Sequence, residues 1–593
     1  MIHEAKISGR DSKSVKVVFA LAMIFCAIFI LARAYAIVWF LDGDVLKLDN
    51  DSVMRLVTVR SWLEGQPWFD TTEYRLMPPD GVNMHWSRYI DGILGGMMLL
   101  LGNFLPAAEA ELWAVIIWPV FLSLVLLAVV GSGAYRLFGG VAASFAVLTA
   151  TTWPVTQQFY FLPGKIDHHN VQIVAIVALT LLVIQPRNPQ RSAALSGLIA
   201  AFALAIGLET LLFILALGLL LFIRANLVRF QQADRILTGF SGGLFFGSVL
   251  FWIGQTAPSD LTRPVCDQLG APVVSLTLIA FVASVLPIAI AKERIALRWA
   301  IGLGTVLVGC AIAWPLLGPC LAGPYGALPD DVRRIIATGI TEARPGLSFA
   351  AFNPALYFQI VAPVVGAILM GGMLFARRSA RVERDSLGIL ILLAIVGFVA
   401  SFSQVRLVLM SAPAVPLLVG CGMAALLQRY LRNRSLRDAG ILLLVGVLVI
   451  APVLLRDALN QTVFANSPST AGRLDTDCRV AEDLAALDAL EPSIFIGSLN
   501  LGPAILFATK HKTVSGPYHR SPDAFANGYT PFRLNEAEMR DWVMQTNATH
   551  LILCETSQYG EGFAQQLVEG ASADWLIPIR LDAGALLVFE ISS

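Results

Sequence analysis

The sequence predicts a polytopic α-helical membrane protein with about 13 transmembrane helices and a small C-terminal α/β domain. Of the 593 residues, 56% are hydrophobic and only 14% are charged, and the mean hydropathy is +0.70. A helix needs about 20 apolar residues to cross a bilayer, and the chain contains many runs of that kind. This composition excludes a soluble globular protein of the same length. The formal net charge of +0 points to no particular class of partner.

The N-terminus is interpreted as a retained first helix rather than a cleaved signal. Residues 1–16 are polar and basic, and the apolar run Val17–Phe40 that follows is long enough to span a bilayer. No small-residue cleavage site interrupts this run. We therefore expect the N-terminus to lie in the cytoplasm.

The distribution of basic residues orients the other spans. Lys and Arg cluster in alternate connections between apolar runs, and the positive-inside rule assigns those connections to the cytoplasm. The resulting topology has the N-terminus inside and the C-terminus outside. The predicted spans are 17–40, 112–135, 140–157, 170–184, 193–207, 208–223, 236–255, 271–291, 299–318, 355–376, 386–403, 407–428 and 439–456.

Three predicted outer segments are long. The first loop covers 41–111, and its apolar stretch Ile90–Leu105 is expected either to lie on the membrane surface or to pack on the helices. A second outer loop covers 319–354. We divide the chain into a transmembrane domain, 1–456, and an outer domain, 457–593, which is large enough to fold by itself.

The predicted outer domain alternates helical and strand patterns. Residues 482–491 are typical of an amphipathic helix, and short buried strands are expected within 493–498, 512–516, 549–555 and 585–591. This alternation predicts a small α/β domain.

The seven cysteines fall into two groups. Cys26, Cys310 and Cys421 lie in apolar runs and are interpreted as packing residues. The other four lie in predicted outer segments, where an oxidising compartment would permit disulfides; they are Cys266, Cys320, Cys478 and Cys554. The spacing does not determine how they pair.

Two polar clusters adjoin the predicted spans. LPGKIDHHNVQ (Leu162–Gln172) places an acid and two imidazoles just before a span, and LDNDS (Leu48–Ser52) follows the first one. Polar groups at such a depth are costly unless they bind something. Carboxylates with one imidazole suit Mg²⁺ or Mn²⁺, so Asp51, Asp167 and His169 are the candidate ligands.

Other interpretations of these clusters stay open. An Asp at the start of a helix often caps the helix by accepting backbone N–H hydrogen bonds, which would explain Asp49 or Asp51. Two histidines with carboxylates also suit Zn²⁺, which would involve His168 as well.

Two further candidates lie on the same predicted side. Arg406 begins a span and could hold a phosphate oxygen with a forked contact, although an arginine there could also anchor the interface. Glu342 lies in TGITEARP and could equally be an ordinary solvated acid. Trp62, Trp68 and Trp86 are assigned to the interfacial belt by default, with stacking on a sugar as the alternative. Arg33 and Glu209 lie in or beside apolar runs, so each is expected to have a polar partner.

The chain resembles the catalytic subunits of oligosaccharyltransferases, particularly the archaeal single-subunit type, within the GT-C superfamily of polyprenyl-dependent glycosyltransferases. The resemblance covers nearly the whole chain. It implies that Asp51 in NDSVMRL, together with the first and third residues of Asp167-His168-His169, binds metal. It also implies that Glu342 in GITEARP is the glutamate of the outer-loop motif, with Gly339 in place of Ser or Thr.

The same resemblance covers the first outer loop and the last spans. YRLMPPDGVNMHW (residues 74–86) is similar to the first-loop segment of the family. QVRLVLM implies that Arg406 contacts the lipid phosphate.

One departure concerns the acceptor. The family carries WWDxG at the start of its outer domain, where it binds the hydroxyl of an Asn-x-Ser/Thr acceptor. The corresponding stretch here is IGSLNLGPAI, which retains Asn500 and Gly502 but has no tryptophan and no acid. GPYHR could replace this element through Tyr518, His519 and Arg520, or it could be a surface turn.

The resulting hypothesis is a glycosyltransferase on the outer face of a bacterial inner membrane. It would move a sugar or oligosaccharide from a polyprenyl-phosphate or -diphosphate donor to a lipid, glycan or protein acceptor, with no nucleic-acid partner and no sequon acceptor. Glu342 would position the acceptor or support the metal. The alternatives are a related enzyme restricted to monophosphate donors, a transporter or flippase for lipid-linked sugars, and a non-catalytic binding protein.

Overall fold

A computed structural model describes residues 12–41, 43–157, 159–184, 188–227, 231–291, 294–323, 325–326, 328–377, 381–450, 452 and 478–592. The helices up to residue 449 are α1 Lys13–Leu41, α2 Asn50–Leu63, α3 Arg88–Leu101, α4 Ala107–Phe138, α5 Gly140–Thr152, α6 Pro154–Gln157, α7 His169–Ile184, α8 Pro189–Ile206, α9 Leu211–Leu227, α10 Gln231–Gln255, α11 Ala271–Ala291, α12 Ile295–Ile312, α13 Trp314–Leu317, α14 Asp330–Gly339, α15 Gly346–Phe352, α16 Pro354–Arg377, α17 Arg381–Ala400, α18 Val415–Asn433 and α19 Leu436–Val449. Short 3₁₀ helices lie at Val45–Lys47, Leu208–Thr210, Pro258–Asp260, Gly318–Cys320, Thr341–Ala343 and Val405–Ser411.

Each predicted span overlaps one of these helices. Among the described residues, eight helices are long and apolar enough to cross a membrane, and up to nine spans result if Val405–Ser411 and α18, which are bent by 59° relative to each other, are counted as one. Helices α5 and α7 are apolar but shorter. The polytopic helical fold is therefore confirmed for the described residues, whereas the number of 13 crossings stays a prediction.

The first outer loop folds onto the helices. It contains α2, a small antiparallel hairpin of β1 (Thr72–Glu73) and β2 (Val82–Asn83), and α3. Helix α3 buries Ile90 and Leu94, and an added Cβ on its Gly95 would lie 2.7 Å from the ring of Trp62. One face of the apolar stretch therefore packs on neighbouring helices, whereas Leu99, Leu100 and Phe104 are exposed, so the membrane-surface alternative stays open for the other face.

The second outer loop, 319–354, is mostly helical. It contains α14, the 3₁₀ helix Thr341–Ala343 and α15. Gly346 N–H at the start of α15 donates to Phe402 O at 3.3 Å, and Val405 N–H donates to Arg344 O at 2.8 Å. These backbone bonds hold the loop against the chain segment that carries Arg406.

The C-terminal region is an α/β domain. Its elements are α20 Ala481–Ala485, β3 Ile494–Ile496, α21 Leu501–Ala508, β4 Lys512–Thr513, α22 Pro522–Asn527, α23 Glu536–Met544, β5 His550–Cys554, α24 Phe563–Val568, β6 Leu576–Ile579 and β7 Leu586–Ile591, with 3₁₀ helices at Ala486–Ala489 and Pro531–Arg533. The strands form one mixed sheet in the order β4-β3-β5-β7-β6, in which β4, β3 and β5 are parallel.

The four strands predicted from the sequence are confirmed, and β6 was missed. Pro578 lies inside β6 and argues against a strand, but an edge strand tolerates a proline because one side of it has no ladder. The predicted amphipathic helix is helical but divided between α20 and the following 3₁₀ turn. The proposed domain boundary at 456/457 lies outside the described residues.

Arginines attach the C-terminal domain to the rest of the chain. Arg75 donates to Leu506 O at 2.6 Å and to Thr509 O at 3.0 Å. Arg479 donates to Leu48 O at 2.7 Å. These guanidinium groups satisfy main-chain carbonyls, including those at the C-terminal end of α21, where a helix leaves carbonyls without intrahelical partners.

Two disulfides join the four cysteines predicted to lie outside. Cys266 pairs with Cys320, and Cys478 pairs with Cys554. The first bond connects the segment before α11 to the segment after α13, and the second connects residue 478 to β5. Of the remaining three, Cys26 and Cys421 are buried as expected of packing residues, whereas Cys310 is only half-buried.

Glycines permit close packing of α8 against α10. A Cβ added to Gly197 would overlap Phe240 O and Leu244 N, and one added to Gly243 would overlap Ala194 O. Small residues at such crossings let helix backbones approach closely, which drives helix association in lipid.

We expect Gly243→Ile to destabilise the protein because any side chain at this position collides with the backbone of α8. Overpacking costs typically 1–3 kcal/mol or more, so a lower unfolding temperature and a lower yield of folded protein are expected in detergent. Gly304→Ile is the matched control, since nothing lies within 4 Å of a Cβ on that helical glycine. Equal unfolding temperatures for the two variants would contradict the prediction.

Candidate active site

One cavity of about 1260 Å³ collects most of the residues singled out from the sequence. Its lining includes Asp49, Asp51, Asp167, His169, Glu342, Arg406, Tyr518 and His519. His168 and Arg520 do not line it. Another part of the wall is apolar and includes Leu208, Leu211, Leu212, Val273, Leu276 and Leu317. The cavity therefore offers both a charged and an apolar surface to one ligand.

A glycine brings the two polar clusters together. Gly164 has a φ of +92°, and a Cβ at this position would overlap the side chain of Leu48. Its N–H donates to Val115 O at 3.1 Å. The LPGKIDHH loop can therefore lie directly on the LDNDS segment, because the turn carries no side chain.

Asp49 acts as a helix cap. Its carboxylate accepts from Ser52 N–H at 2.9 Å at the start of α2 and forms an ion pair with Lys165 at 2.7 Å. Burial raises the pKa of Asp49, but Lys165 and these hydrogen bonds lower it below its usual value. The capping interpretation is therefore correct for this residue, whose carboxylate already has partners.

Asp51 lies in the first turn of the same helix and is different. No residue in the described ranges forms a hydrogen bond or an ion pair with its carboxylate. Burial, followed by the negative charges of Asp167, Asp49 and Glu342, raises the pKa of Asp51 well above its usual value. A half-buried carboxylate crowded by other acids is a position at which a cation relieves repulsion.

Asp167 is the most heavily bonded acid of the site. It contacts Arg55 at 3.1 Å, Nδ1 of His168 at 2.6 Å and Nε2 of His169 at 3.5 Å. Burial raises the pKa of this carboxyl, but the two histidines and Arg55 hold it well below its usual range. Asp167 is therefore an ionised carboxylate held in one orientation.

Arg55 is a buried partner of Asp167 that sequence reasoning missed. Its guanidinium also binds Asp91 at 2.8 Å and lies 4.9 Å from the ring centroid of Trp86. Trp86 is only 4% exposed, so assigning it to an interfacial belt was wrong: it packs beneath the site instead. Trp68 also has an internal partner, because its indole N–H donates to Gly254 O at 2.8 Å.

His168 bridges two carboxylates of the site. Its ring nitrogens contact Asp167 Oδ1 at 2.6 Å and Glu209 Oε2 at 3.1 Å. Burial lowers the pKa of His168, but the two carboxylates raise it to about 10, so the imidazole is charged at neutral pH. Gly207 makes room, since a Cβ there would lie 2.5 Å from His168 Nε2.

The sequence predicts a polar partner for both Glu209 and Arg33. Among the described residues, only Glu209 has one. Glu209 has His168 and also accepts from Gln172 at 3.1 Å. For Arg33, half-buried in α1, no described residue provides a hydrogen bond or an ion pair.

The tightest group of possible metal ligands is Asp167, His168 and His169, whose ligand atoms lie within 4.8 Å of one another. His168 uses both nitrogens on carboxylates, which leaves Asp167 and His169 as the available pair. Asp51 lies on the same cavity wall but does not belong to this tight group. Since its carboxylate has no partner to hold it, it is free to turn towards an ion.

Arg406 also lines the cavity, where three side chains hold it. Its guanidinium contacts Gln404 Oε1 at 3.1 Å, Tyr325 Oη at 3.1 Å and Glu342 Oε1 at 3.5 Å. Glu342 is thus the partner of Arg406 rather than an isolated surface acid. The side chain of Arg406 is 15% exposed, and it faces the cavity.

GPYHR reaches the cavity from the C-terminal domain. Tyr518 is 2% exposed and its hydroxyl donates to Asn50 O at 3.4 Å, next to Asp51. The surface-turn interpretation of this segment was therefore wrong. Arg520 binds both oxygens of Asp267 and donates to Met84 O, so it connects the domain to two other segments.

The structure reveals site residues that the sequence did not single out. Glu209 was noticed only as a charge without a known partner, and Arg55 and Tyr325 carried no recognisable signal. Asp267 had one usable clue, because it follows a cysteine in a predicted outer segment.

No protein-family model matches the chain, and no curated protein matches its sequence. Solved structures do resemble it. The archaeal oligosaccharyltransferase AglB from Archaeoglobus fulgidus, in complex with an inhibitory peptide and a dolichol-phosphate, matches with a TM-score of 0.64 and 14% identity, covering 92% of this chain and 70% of that chain.

Two further structures are similar. The A. fulgidus oligosaccharyltransferase in complex with Zn and sulfate matches with a TM-score of 0.59 and 13% identity, over 90% of this chain and 68% of that chain. ArnT from Cupriavidus metallidurans bound to undecaprenyl phosphate has a TM-score of 0.41 and 12% identity, over 95% and 97%, and carries no argument at that score. The chain has the fold of the archaeal oligosaccharyltransferase, that is, the GT-C fold.

Proposed function

We propose that the protein is a metal-dependent glycosyltransferase. It would transfer a sugar or oligosaccharide from a polyprenyl-phosphate or -diphosphate donor to an acceptor other than an Asn-sequon. The observation that carries the proposal is the single cavity in which Asp51, Asp167, His169 and Arg406 converge beside an apolar wall. The shared fold supports it, because AglB was solved with a dolichol-phosphate.

A divalent cation suits the acid side of this cavity. Asp51, Asp167 and His169 would hold it, and their oxygen-rich donor set favours Mg²⁺ or Mn²⁺, although a related structure contains Zn. When bound, such a cation offsets charge on a leaving phosphate as a Lewis acid. Arg55 and His168 keep Asp167 ionised and oriented, which is the usual function of groups behind a metal ligand.

Arg406 would bind the donor phosphate. Its guanidinium, held in place by Glu342, Gln404 and Tyr325, suits phosphate oxygens. The apolar wall formed by Leu208, Leu212 and Leu276 would accommodate the start of the polyprenyl chain. The phosphate head and the polyprenyl tail of one donor would thereby contact adjacent surfaces of the cavity.

The absence of WWDxG argues against a peptide sequon as acceptor. Asn500 is present in the cavity, but its amide oxygen accepts from Asn50 Nδ2 at 2.6 Å. Gly502 has a packing function, because a Cβ there would overlap Ser515 O. The two residues shared with the sequon-reading segment therefore serve structure in this chain.

The cavity is assigned to the outer face of a bacterial inner membrane, with a cytoplasmic N-terminus and a periplasmic C-terminal domain. The two disulfides support this orientation, since such bonds persist in oxidising compartments. Both join segments that the charge pattern assigned to the outside.

We expect Asp51→Asn and Asp167→Asn each to lower sugar transfer by at least about 100-fold, because removing one preorganised charge contact typically costs about 10²–10³ in kcat. The assay is transfer of labelled sugar by the purified full-length protein in nanodiscs, with and without EDTA, followed by addition of Mg²⁺, Mn²⁺ or Zn²⁺. Mn²⁺ binding measured by electron paramagnetic resonance gives an independent readout. Glu64→Gln, at the exposed far end of α2, is the control.

Full activity in both Asn variants would refute the metal assignment. Donor that binds to the wild type and is never consumed would instead favour the transporter or the non-catalytic binding protein.

Arg406→Lys is expected to weaken binding of undecaprenyl phosphate by about tenfold, and Arg406→Gln by more, since lysine keeps the charge but loses the forked contact. Binding is measured on the full-length protein by native mass spectrometry. Arg429→Lys is the control, because that arginine pairs with Asp438 on α19 away from the cavity. Unchanged binding in Arg406→Gln would show that the phosphate lies elsewhere.

A further inference from the structure

A histidine–aspartate pair lies on the cavity wall contributed by the C-terminal domain. Nε2 of His519 is 2.9 Å from Asp267 Oδ2. The two residues come from segments about 250 positions apart, and both line the cavity. This pair is separate from the proposed metal ligands and from Arg406.

Asp267 is fixed and ionised. Arg520 donates to it from Nε at 2.7 Å and from Nη2 at 2.8 Å, and its neighbour Cys266 is anchored by the disulfide to Cys320. Burial raises the pKa of Asp267, but hydrogen bonds from Arg520 and His519 hold it far below its usual value. An ionised carboxylate only accepts hydrogen bonds, so Nε2 of His519 carries the proton.

The other ring nitrogen is the one that can react. In the neutral tautomer that Asp267 selects, Nδ1 carries the lone pair. No residue in the described part of the chain bonds to this atom, and the side chain is 15% exposed in the cavity wall. This is the arrangement in which an aspartate orients a histidine that acts as a base.

The pair lies next to the proposed donor site. The ring of His519 contacts the ring of Tyr325 edge-on at 5.4 Å, and the hydroxyl of Tyr325 accepts from Arg406. On the other side, the adjacent Tyr518 reaches the main chain beside Asp51. His519 is therefore one side chain away from the group assigned to the donor phosphate.

We propose that His519, oriented by Asp267, is the general base of the reaction and that the acceptor is an alcohol, such as a sugar or lipid hydroxyl. This inference rests on the proposed function. The acceptor oxygen forms a bond to the anomeric carbon, the bond from that carbon to the phosphate oxygen breaks, and the electron pair leaves with the phosphate. The hydroxyl proton passes to Nδ1 of His519.

His519 has charged and titratable neighbours on more than one chain segment. The charged and titratable groups that face it are Asp267, Arg520, Tyr325 and His85. The ring of His85 lies 4.6 Å away, and burial, then His519 and Arg520, lower the pKa of His85 well below its usual value. His85 is thus uncharged near neutral pH and leaves Asp267 and Arg520 as the charges beside the base.

The competing interpretation is that the His519–Asp267 pair only attaches the C-terminal domain and takes no part in catalysis. Arg520 does connect the C-terminal domain to Asp267, Gln268 and Met84, so loss of Arg520 would disturb structure whatever His519 does. Variants of His519 and Asp267 are therefore more informative. His519→Gln keeps an N–H donor for Asp267, and Asp267→Asn keeps the size of the side chain but loses the charge.

The test uses the full-length protein in nanodiscs with a panel of short polyprenyl-phosphate and -diphosphate sugars and with glycan, lipid and sequon-peptide acceptors. We expect His519→Gln to lower kcat by about 10²–10⁴, the usual contribution of a general base, without changing the KM for the donor. The acidic limb of the pH profile of kcat/KM should disappear. His550→Gln, in the same domain but outside the cavity lining, should behave like the wild type.

A second measurement does not depend on the donor. Diethyl pyrocarbonate modifies unprotonated imidazoles, and the modified residues are mapped by mass spectrometry at several pH values. We expect His519 to be modified in the wild type and to be modified more slowly in Asp267→Asn. His168 should be protected, because both of its ring nitrogens are hydrogen-bonded.

The outcomes separate the two proposals. Transfer by the wild type combined with an unchanged pH profile in His519→Gln, or an unreactive His519, would each overturn this inference alone, whereas transfer to the peptide amide would overturn both the inference and the proposed choice of acceptor. A wild type that binds donors but transfers sugar to none of these acceptors would contradict the proposed function itself.

Discussion

A chain of buried opposite charges organises the site. Asp91, Arg55, Asp167, His168 and Glu209 alternate in sign and contact one another at 2.6–3.1 Å. They come from the first loop, from the segment before α7 and from the turn before α9. Breaking such a network leaves an uncompensated buried charge, which costs about 3–5 kcal/mol. Each charged residue therefore depends on its neighbour in the network for compensation of its charge. The network holds the three segments in one arrangement.

This network explains why two acids in the same cavity differ so much. Asp167 takes part in it and contacts Arg55, His168 and His169, whereas Asp51 faces the cavity with no partner among the described residues. The protein therefore holds one acid of the cavity in a fixed orientation and leaves the other without such contacts. Burial, together with repulsion from Asp167, Asp49 and Glu342, is the local cost of placing the Asp51 carboxylate there.

The sequence predicted the helical membrane fold because about 20 consecutive apolar residues have few other solutions. It also identified Asp51, Asp167, Glu342 and Arg406 as neighbours, since each breaks an apolar run on the same predicted side. The partners Arg55, Asp267 and Tyr325 were not predictable in this way. Their function depends on contacts with residues that are distant in the sequence. Nothing in the local sequence around an arginine or aspartate indicates that it forms a buried ion pair.

The attachment of the C-terminal domain has a consequence for how this architecture can diverge. Arg75 and Arg479 donate to carbonyl oxygens, and every amino acid supplies a carbonyl oxygen. Substitutions at Leu48, Leu506 or Thr509 therefore leave the acceptors of these bonds in place. A domain attached through main-chain oxygens tolerates many substitutions of the side chains around the attachment. This is consistent with a fold shared with AglB at only 14% identity. The part of the domain that lines the cavity is thereby free to change while the domain stays attached.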